Sequence, residues 1–329
     1  MRKKFLFQSL FGAAIIAGIL LASEAHAAAE IVTRPQSPGS FSPVEFEVQD
    51  FATDITHATI TWTLNGKTVS QGIGDTKFST RTGASGTPLV VTAKVSGIEG
   101  LEESRSITLR PADVDLIWQA NTTVPTFYRG KALLSPEASA KVVAIPHVVV
   151  GGKEVAPEKL LYTWTVDDKL VQAASGFGKS SMIATHNVLE ENMTVSVHIE
   201  TLDGTNAGDN SVVIPVVTPE IHFYEEGPLK GTLLNSALDN GAVLSAGEGT
   251  IRAVPYFFST ASVRGSTIQL DWSVDGESTP LSAQAPYLIT IRTEKGRTGE
   301  STLSFRMQDT AHLLQNAHSS FSVQFGSLR

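Results

Sequence analysis

The chain has 329 residues, with 25 basic and 33 acidic side chains for a formal net charge of −8, and no cysteine. Its lysines and arginines are scattered among carboxylates, so it lacks the basic stripe that a nucleic-acid-binding surface needs. Without cysteine it has neither disulfide bracing nor a thiol nucleophile, and each hydrophobic core must stabilise its own domain.

At the amino terminus Arg2, Lys3 and Lys4 precede an apolar run over 5–22, and Ala25-His26-Ala27 then offers the small-x-small pattern that signal peptidase reads. Residues 1–27 are expected to be a secretory signal peptide. The implied location is exported: extracellular, on the cell surface or in the periplasm. The most apolar part, 12–22, is shorter than the roughly 20 residues of a spanning helix. Membrane contact is therefore expected only through an uncleaved signal segment or a partner.

Downstream, a strand-like segment occurs three times: Thr61-Trp62-Thr63-Leu64-Asn65-Gly66, Thr163-Trp164-Thr165-Val166-Asp167-Asp168 and Asp271-Trp272-Ser273-Val274-Asp275-Gly276. The tryptophans lie 102 and 108 residues apart, the length of one β-sandwich of about 100 residues. Strand alternation points each tryptophan and the aliphatic residue two positions on to one face. Trp62, Trp164 and Trp272 are thus the expected structural core, and the Asn-Gly, Asp-Asp or Asp-Gly pair reads as a tight turn.

Each repeat carries the same parts in order. An opening strand (31–32, 116–118, 221–224) and a second strand (44–48, 140–145, 250–254) precede the tryptophan strand. An alternating strand (90–95, 194–199, 303–307) and a closing strand (106–109, 212–214, 321–325) follow it. Pro146 and Pro255 remove a ladder donor and mark the end of the second strand. The predicted fold is all-β, with three tandem sandwich domains at 30–112, 113–218 and 219–329 after the signal peptide. Prolines in the short joints at 111–114 and 217–219 are expected to limit rotation and make a semi-rigid rod. Helix is predicted only at 232–240, where Leu233, Leu234, Ala237 and Leu238 share a face, and at 310–317.

The chemical motifs reduce mostly to turn chemistry. Gly176-Phe177-Gly178-Lys179-Ser180-Ser181 is like the end of a phosphate-binding loop, but position 173, where the first glycine belongs, is alanine. The first repeat has Gly72-Ile73-Gly74-Asp75 at the matching place, so two glycines there read as a shared bend. Asp203, Asn206 and Asp209 lie in a loop dense enough in oxygens to be calcium candidates, but without the acidic spacing or closing glutamate of a helix-loop-helix site; an Asp/Asn/Gly hairpin is the commoner meaning. The histidines are dispersed, and no Gly-x-Ser-x-Gly elbow is present. No catalytic residue, cofactor or metal is assigned, and the chain is expected not to be an enzyme. The third repeat is the richest in aromatic residues. Tyr224, Tyr256, Phe257 and Phe258 are the candidate partner surface, with core or inter-domain packing as the alternative.

The tryptophan segment, the Gly-x-Gly bend and the β-rich ending together resemble bacterial immunoglobulin-like or polycystic-kidney-disease-type (PKD) repeats over nearly all the chain beyond residue 27. The chain departs from the latter in lacking Phe-Gly-Asp-Gly after the tryptophan. The third repeat, with Phe223-Tyr224-Glu225, Pro228-Leu229-Lys230-Gly231 and Pro255-Tyr256-Phe257-Phe258-Ser259, also resembles a module of exported bacterial proteins, which implies a cell-envelope setting. The expected role is a non-enzymatic spacer and interaction protein of a cell-surface or envelope assembly, with envelope or surface proteins as partners. A carbohydrate-binding adhesin, with Trp118, Tyr224 and Tyr256 as stacking rings for glycans, is the first alternative, and an enzyme with an unrecognised site the second.

Overall fold

The computed structural model describes residues 29–50, 54–98, 101–186, 190–238, 241–244, 248–293 and 298–325. The expected signal peptide, 1–27, lies outside the described residues.

The chain is a tandem array of immunoglobulin-like β-sandwiches, each made of two mainly antiparallel sheets around its own core. In the first, β1 (Glu30–Arg34), β2 (Pro43–Gln49) and β5 (Lys77–Arg81) form one sheet. The facing sheet holds β3 (Thr59–Leu64), β4 (Lys67–Ile73), β6 (Leu89–Ile98) and β7 (Leu101–Leu109), in the order β4-β3-β6-β7. Phe46, Ile60, Trp62, Val91 and Val95 fill the space between them.

The second sandwich repeats the plan. One sheet is β15-β9-β8, built from β8 (Asp113–Ala120), β9 (Ser139–His147) and β15 (Ser181–Thr185). Between β9 and the tryptophan strand lies a small hairpin, β10 (Val149–Val150) and β11 (Lys153–Glu154). The other sheet joins β12 (Leu160–Val166), β13 (Lys169–Leu170), β14 (Gly176–Phe177), β16 (Asn192–Thr201) and β17 (Ala207–Pro215).

The third has β18 (Glu220–Gly227), β19 (Gly231–Thr232), β21 (Glu248–Tyr256) and β24 (Leu288–Arg292) on one side. On the other are β20 (Ala242–Leu244), β22 (Ile268–Val274), β23 (Glu277–Thr279), β25 (Gly299–Asp309) and β26 (Asn316–Phe325). A five-residue helix, α1 (Thr260–Arg264), connects β21 to β22.

Two devices recur in all three sandwiches and explain the repeated residues. Each tryptophan is buried, yet its indole N–H finds a main-chain acceptor 13 to 15 residues on: Asp75 at 2.8 Å, Lys179 at 2.9 Å and Pro286 at 3.2 Å. A buried indole without that acceptor would lose about 1–3 kcal/mol. The turn after the tryptophan strand has positive φ at both central residues, as a two-residue hairpin of matching twist requires. Its first side chain then reaches across the sheet. Asn65, Asp167 and Asp275 each accept, through Oδ1, from the amide of Val90, Thr194 and Thr302 at 2.8–2.9 Å. The same three residues donate their own amides to those residues' carbonyls at 2.8–2.9 Å.

Both expected helices are corrected. Residues 232–238 run beside β18 with a turn at 234–235: Leu233 donates its amide to Glu225 and Leu238 to Phe223, each at 2.8 Å. The apolar spacing there serves a strap against the sheet, and residues 239 and 240 lie outside the described residues. Residues 310–315 form a turn closed by the Asp309 amide on the Gln315 carbonyl, and β26 already begins at Asn316.

Candidate functional site

The aromatic residues picked out as a partner surface lie inside the chain. Tyr224, Tyr256 and Phe257 are buried, and Phe258 is completely so. The first three make a cluster with Val254, against which Val124, Phe127, Tyr128 and Leu133 pack from the connection between β8 and β9. Phe127 meets Tyr224 edge-on at 5.6 Å, Tyr128 meets Tyr256 at 5.8 Å, and the two tyrosine hydroxyls are 2.9 Å apart. The correction has a simple cause. Tyr224, Tyr256 and Phe257 face the second sandwich, and their apolar area is removed from water there, while Phe258 packs in the third sandwich's own core.

Polar contacts fix the same junction. Thr123 and Phe257 to Phe258 exchange main-chain hydrogen bonds at 2.7 Å, and Thr260 donates its amide to the Asn121 carbonyl at 3.0 Å. Gln315, fully buried, accepts from the Ser259 amide at 2.6 Å and donates to Ser135 Oγ at 2.9 Å and to the Pro136 carbonyl. Glu137 accepts from the Leu314 amide at 2.7 Å. Phe257 and Glu137 both hold φ of +61°, a costly conformation for side chains of this size. The connection over 121–138 far exceeds the usual loop of about 4–6 residues. The aromatic richness of the third repeat, for which inter-domain packing is the alternative reading, and the length of this connection are the sequence signals for the junction.

Trp118 is half-buried against the second core, and Lys131 Nζ stands 3.3 Å from the centroid of its ring. Burial lowers the Lys131 pKa. Of the three rings considered as glycan platforms, Tyr224 and Tyr256 are buried and Trp118 carries a cation on its face.

The first and second sandwiches meet differently. Ser40 donates its amide to Asp113 Oδ1, Gly86 its amide to the Pro111 carbonyl, and Ser85 its hydroxyl to the His147 carbonyl, each at 2.8 Å. Beside these bonds is a cleft of about 550 Å³ whose walls include Ile31, Thr33, Leu109, Arg110, His198 and Glu200. His198 and Asp209 are ladder partners on β16 and β17, with Nδ1 and Oδ1 2.6 Å apart. The Asp209 contact raises the His198 pKa, against the opposing effect of partial burial. This junction is polar and open where the other is closed by an aromatic cluster together with buried polar bonds.

The side chains of the remaining candidates are engaged in local contacts. Asp203 caps a hairpin turn, accepting from Thr201 Oγ1 at 2.6 Å and from the Thr205 amide and hydroxyl at 3.2 and 3.0 Å. Asn206 is buried in that turn, and Asp209 is engaged with His198. Among the described residues no three His, Cys, Asp or Glu side chains group as metal ligands. In the segment resembling a phosphate loop, Gly178 donates its amide to Leu160, Ser180 to Gly178, and Lys179 its ammonium to Ala173, so these donors serve the bend over Trp164. Among the described residues no helix is long and apolar enough to cross a membrane.

No protein-family model and no curated protein matches the sequence. Solved structures do. Three N-terminal domains of the Highly Immunogenic Outer Capsid protein (Hoc) of bacteriophage RB49 align at 10% identity over 92% of this chain and 99% of that one, with a TM-score of 0.26. Fibronectin(III)-like modules of Clostridium thermocellum CbhA align at 11% identity over 57% and 94%, TM-score 0.26. A structure of a 1.5-MDa bacterial ice-binding adhesin aligns at 11% identity over 92% and 99%, TM-score 0.24. At these TM-scores the likenesses carry no statement about function.

Proposed function

We propose that the chain is a non-enzymatic, exported spacer and interaction protein of a cell-surface or envelope assembly, with domains at 30–112, 113–218 and 219–329. The observation that carries this reading is the closed junction between the second and third sandwiches. Tyr224, Tyr256 and Phe257, a fully buried glutamine and two residues at positive φ all go into fixing one sandwich against the next. A spacer needs joints that resist bending, whereas each sandwich core would be complete without this investment. The order of residues 1–27 supports export.

The test is chemical cross-linking on intact cells expressing the tagged chain, followed by mass spectrometry of what is captured. Specific envelope or surface proteins linked to the chain are the expected result. Recovery of a cytoplasmic chain that retains residues 1–27, with no envelope protein attached, overturns the reading.

A further inference from the structure

We propose that β15 of the second sandwich is an open pairing edge, and that its occupant is β15 of a second copy of the chain, joined antiparallel about Ile183. This rests on the edge itself and is independent of the envelope reading.

Each sandwich has an equivalent edge strand: among the described residues β5, β15 and β24 each pair on one side only, with β2, β9 and β21. In an antiparallel ladder, alternate residues aim their N–H and C=O at the neighbour and the rest aim outward. The outward set follows from the end contacts. The Val48 amide bonds to the Thr76 carbonyl, the Ala144 amide to Ser180 and the Ala253 amide to Tyr287. The outward residues are therefore Lys77, Ser79 and Arg81 on β5; Ser181, Ile183 and Thr185 on β15; and Leu288, Thr290 and Arg292 on β24.

Charged side chains on an edge oppose pairing with another chain. On β5, Lys77 is paired with Glu45 at 3.4 Å and Arg81 bonds to the Phe41 carbonyl at 2.6 Å; on β24, Arg292 pairs with Glu248 at 3.1 Å. The β15 strand, Ser-Met-Ile-Ala-Thr, has no charge, no proline and no break in register with β9. At its centre Ile183 is 69% exposed. The apolar surface continues inward on the same face. Val143 and Ile117 are cross-strand partners, and exposed Ile145 follows Val143 two positions on.

A second copy fits this edge by charge. The chain as a whole is acidic at −8, and a partner rich in either sign would find nothing complementary on β15. Two neutral β15 strands meet without like charges in contact. The nearest cations, one Lys141 from each copy beside Ile183, would be three strand spacings apart. That is about 14 Å, beyond the screening length of about 8 Å at physiological salt. Centred on Ile183, the pairing places residues 181, 183 and 185 of one copy opposite 185, 183 and 181 of the other, all as hydrogen-bonded pairs. Five residues of edge span about 17 Å and bury less than the about 1,200 Å² of a durable interface. The dimer is thus expected to be weak, concentration-dependent and favoured by added salt, which screens the net repulsion.

The folded chain has no thiol, so Ile183→Cys introduces a single one per copy. Opposed Cα atoms about 5.5 Å apart lie within disulfide range. Mild oxidation is expected to give a disulfide-linked dimer from I183C and little from S79C or T290C at the equivalent edge positions. Sedimentation equilibrium of the unmodified chain should show self-association that I183K, with unchanged circular dichroism, weakens roughly tenfold or more. Monomer only from I183C, equal cross-linking from all three variants, or self-association unaffected by I183K overturns the proposal. Capture of a different protein at position 183 in place of a second copy overturns the choice of occupant.

Discussion

Replacing Gln315 by methionine tests whether the second and third sandwiches are held by the buried polar bonds at their junction. Methionine keeps the length and nearly the volume of glutamine, so the cavity cost is small. It leaves three buried groups without their partner: the Ser259 amide, the Ser135 hydroxyl and the Pro136 carbonyl. The Ser135 oxygen loses a donor but keeps its own O–H to donate, so the main loss falls on the amide and the carbonyl, together about 2–4 kcal/mol. Urea denaturation combined with calorimetry of the whole chain reads this loss. In the unaltered protein the second and third sandwiches are expected to unfold together, because apolar packing and hydrogen bonds cross between them. In Q315M the shared transition should move to lower urea and separate into two. Q324M, at an exposed position near the end of β26, the strand that follows Gln315, is the control. A change in Q315M below about 0.5 kcal/mol, the range of surface substitutions, would refute the reasoning.

Three further outcomes are expected. Asp167→Ala removes the acceptor for the Thr194 amide and places a less tolerant residue at φ of +47°; it should cost about 1–2 kcal/mol in chemical denaturation, whereas Asp167→Asn, matching Asn65, should cost little. Gly86→Ala would put Cβ 2.1 Å from the Val149 carbonyl at φ of +76°; the loop must withdraw from the second sandwich, with a loss of about 1–3 kcal/mol and faster hydrogen exchange over 83–87. The His198 pKa is raised by Asp209, so this pair's contribution to stability is full below the unfolded histidine pKa of about 6.5 and is lost as pH rises through the folded value. Asp209→Asn should lower the His198 pKa in an NMR titration and remove that loss; an unchanged titration would contradict the assigned contact.

The strand pattern was legible because it is local. The alternation around Trp62, Trp164 and Trp272 and the turn pairs at Asn65, Asp167 and Asp275 fixed the repeat, the core face and the hairpin. The Gly-x-Gly bend was readable as shared structure, although its purpose, covering the indole N–H, needed the indole's position. The helices expected at 232–240 and 310–317 failed for the complementary reason. Their apolar spacing suits a helix face, but available partners on β18 and within the β25–β26 turn took their amides first.

What the sequence determined by itself was an all-β chain of repeated sandwiches, since alternation and turn chemistry act between near neighbours. Only the tertiary structure decided where the third repeat's aromatic residues go. Whether Tyr224 or Tyr256 faces water or a neighbouring sandwich depends on contacts with residues 121–138, roughly a hundred positions away in the chain. Edge exposure is decided in the same way. Ile183 is one apolar residue in an ordinary strand until the ladder leaves its outer side unpaired.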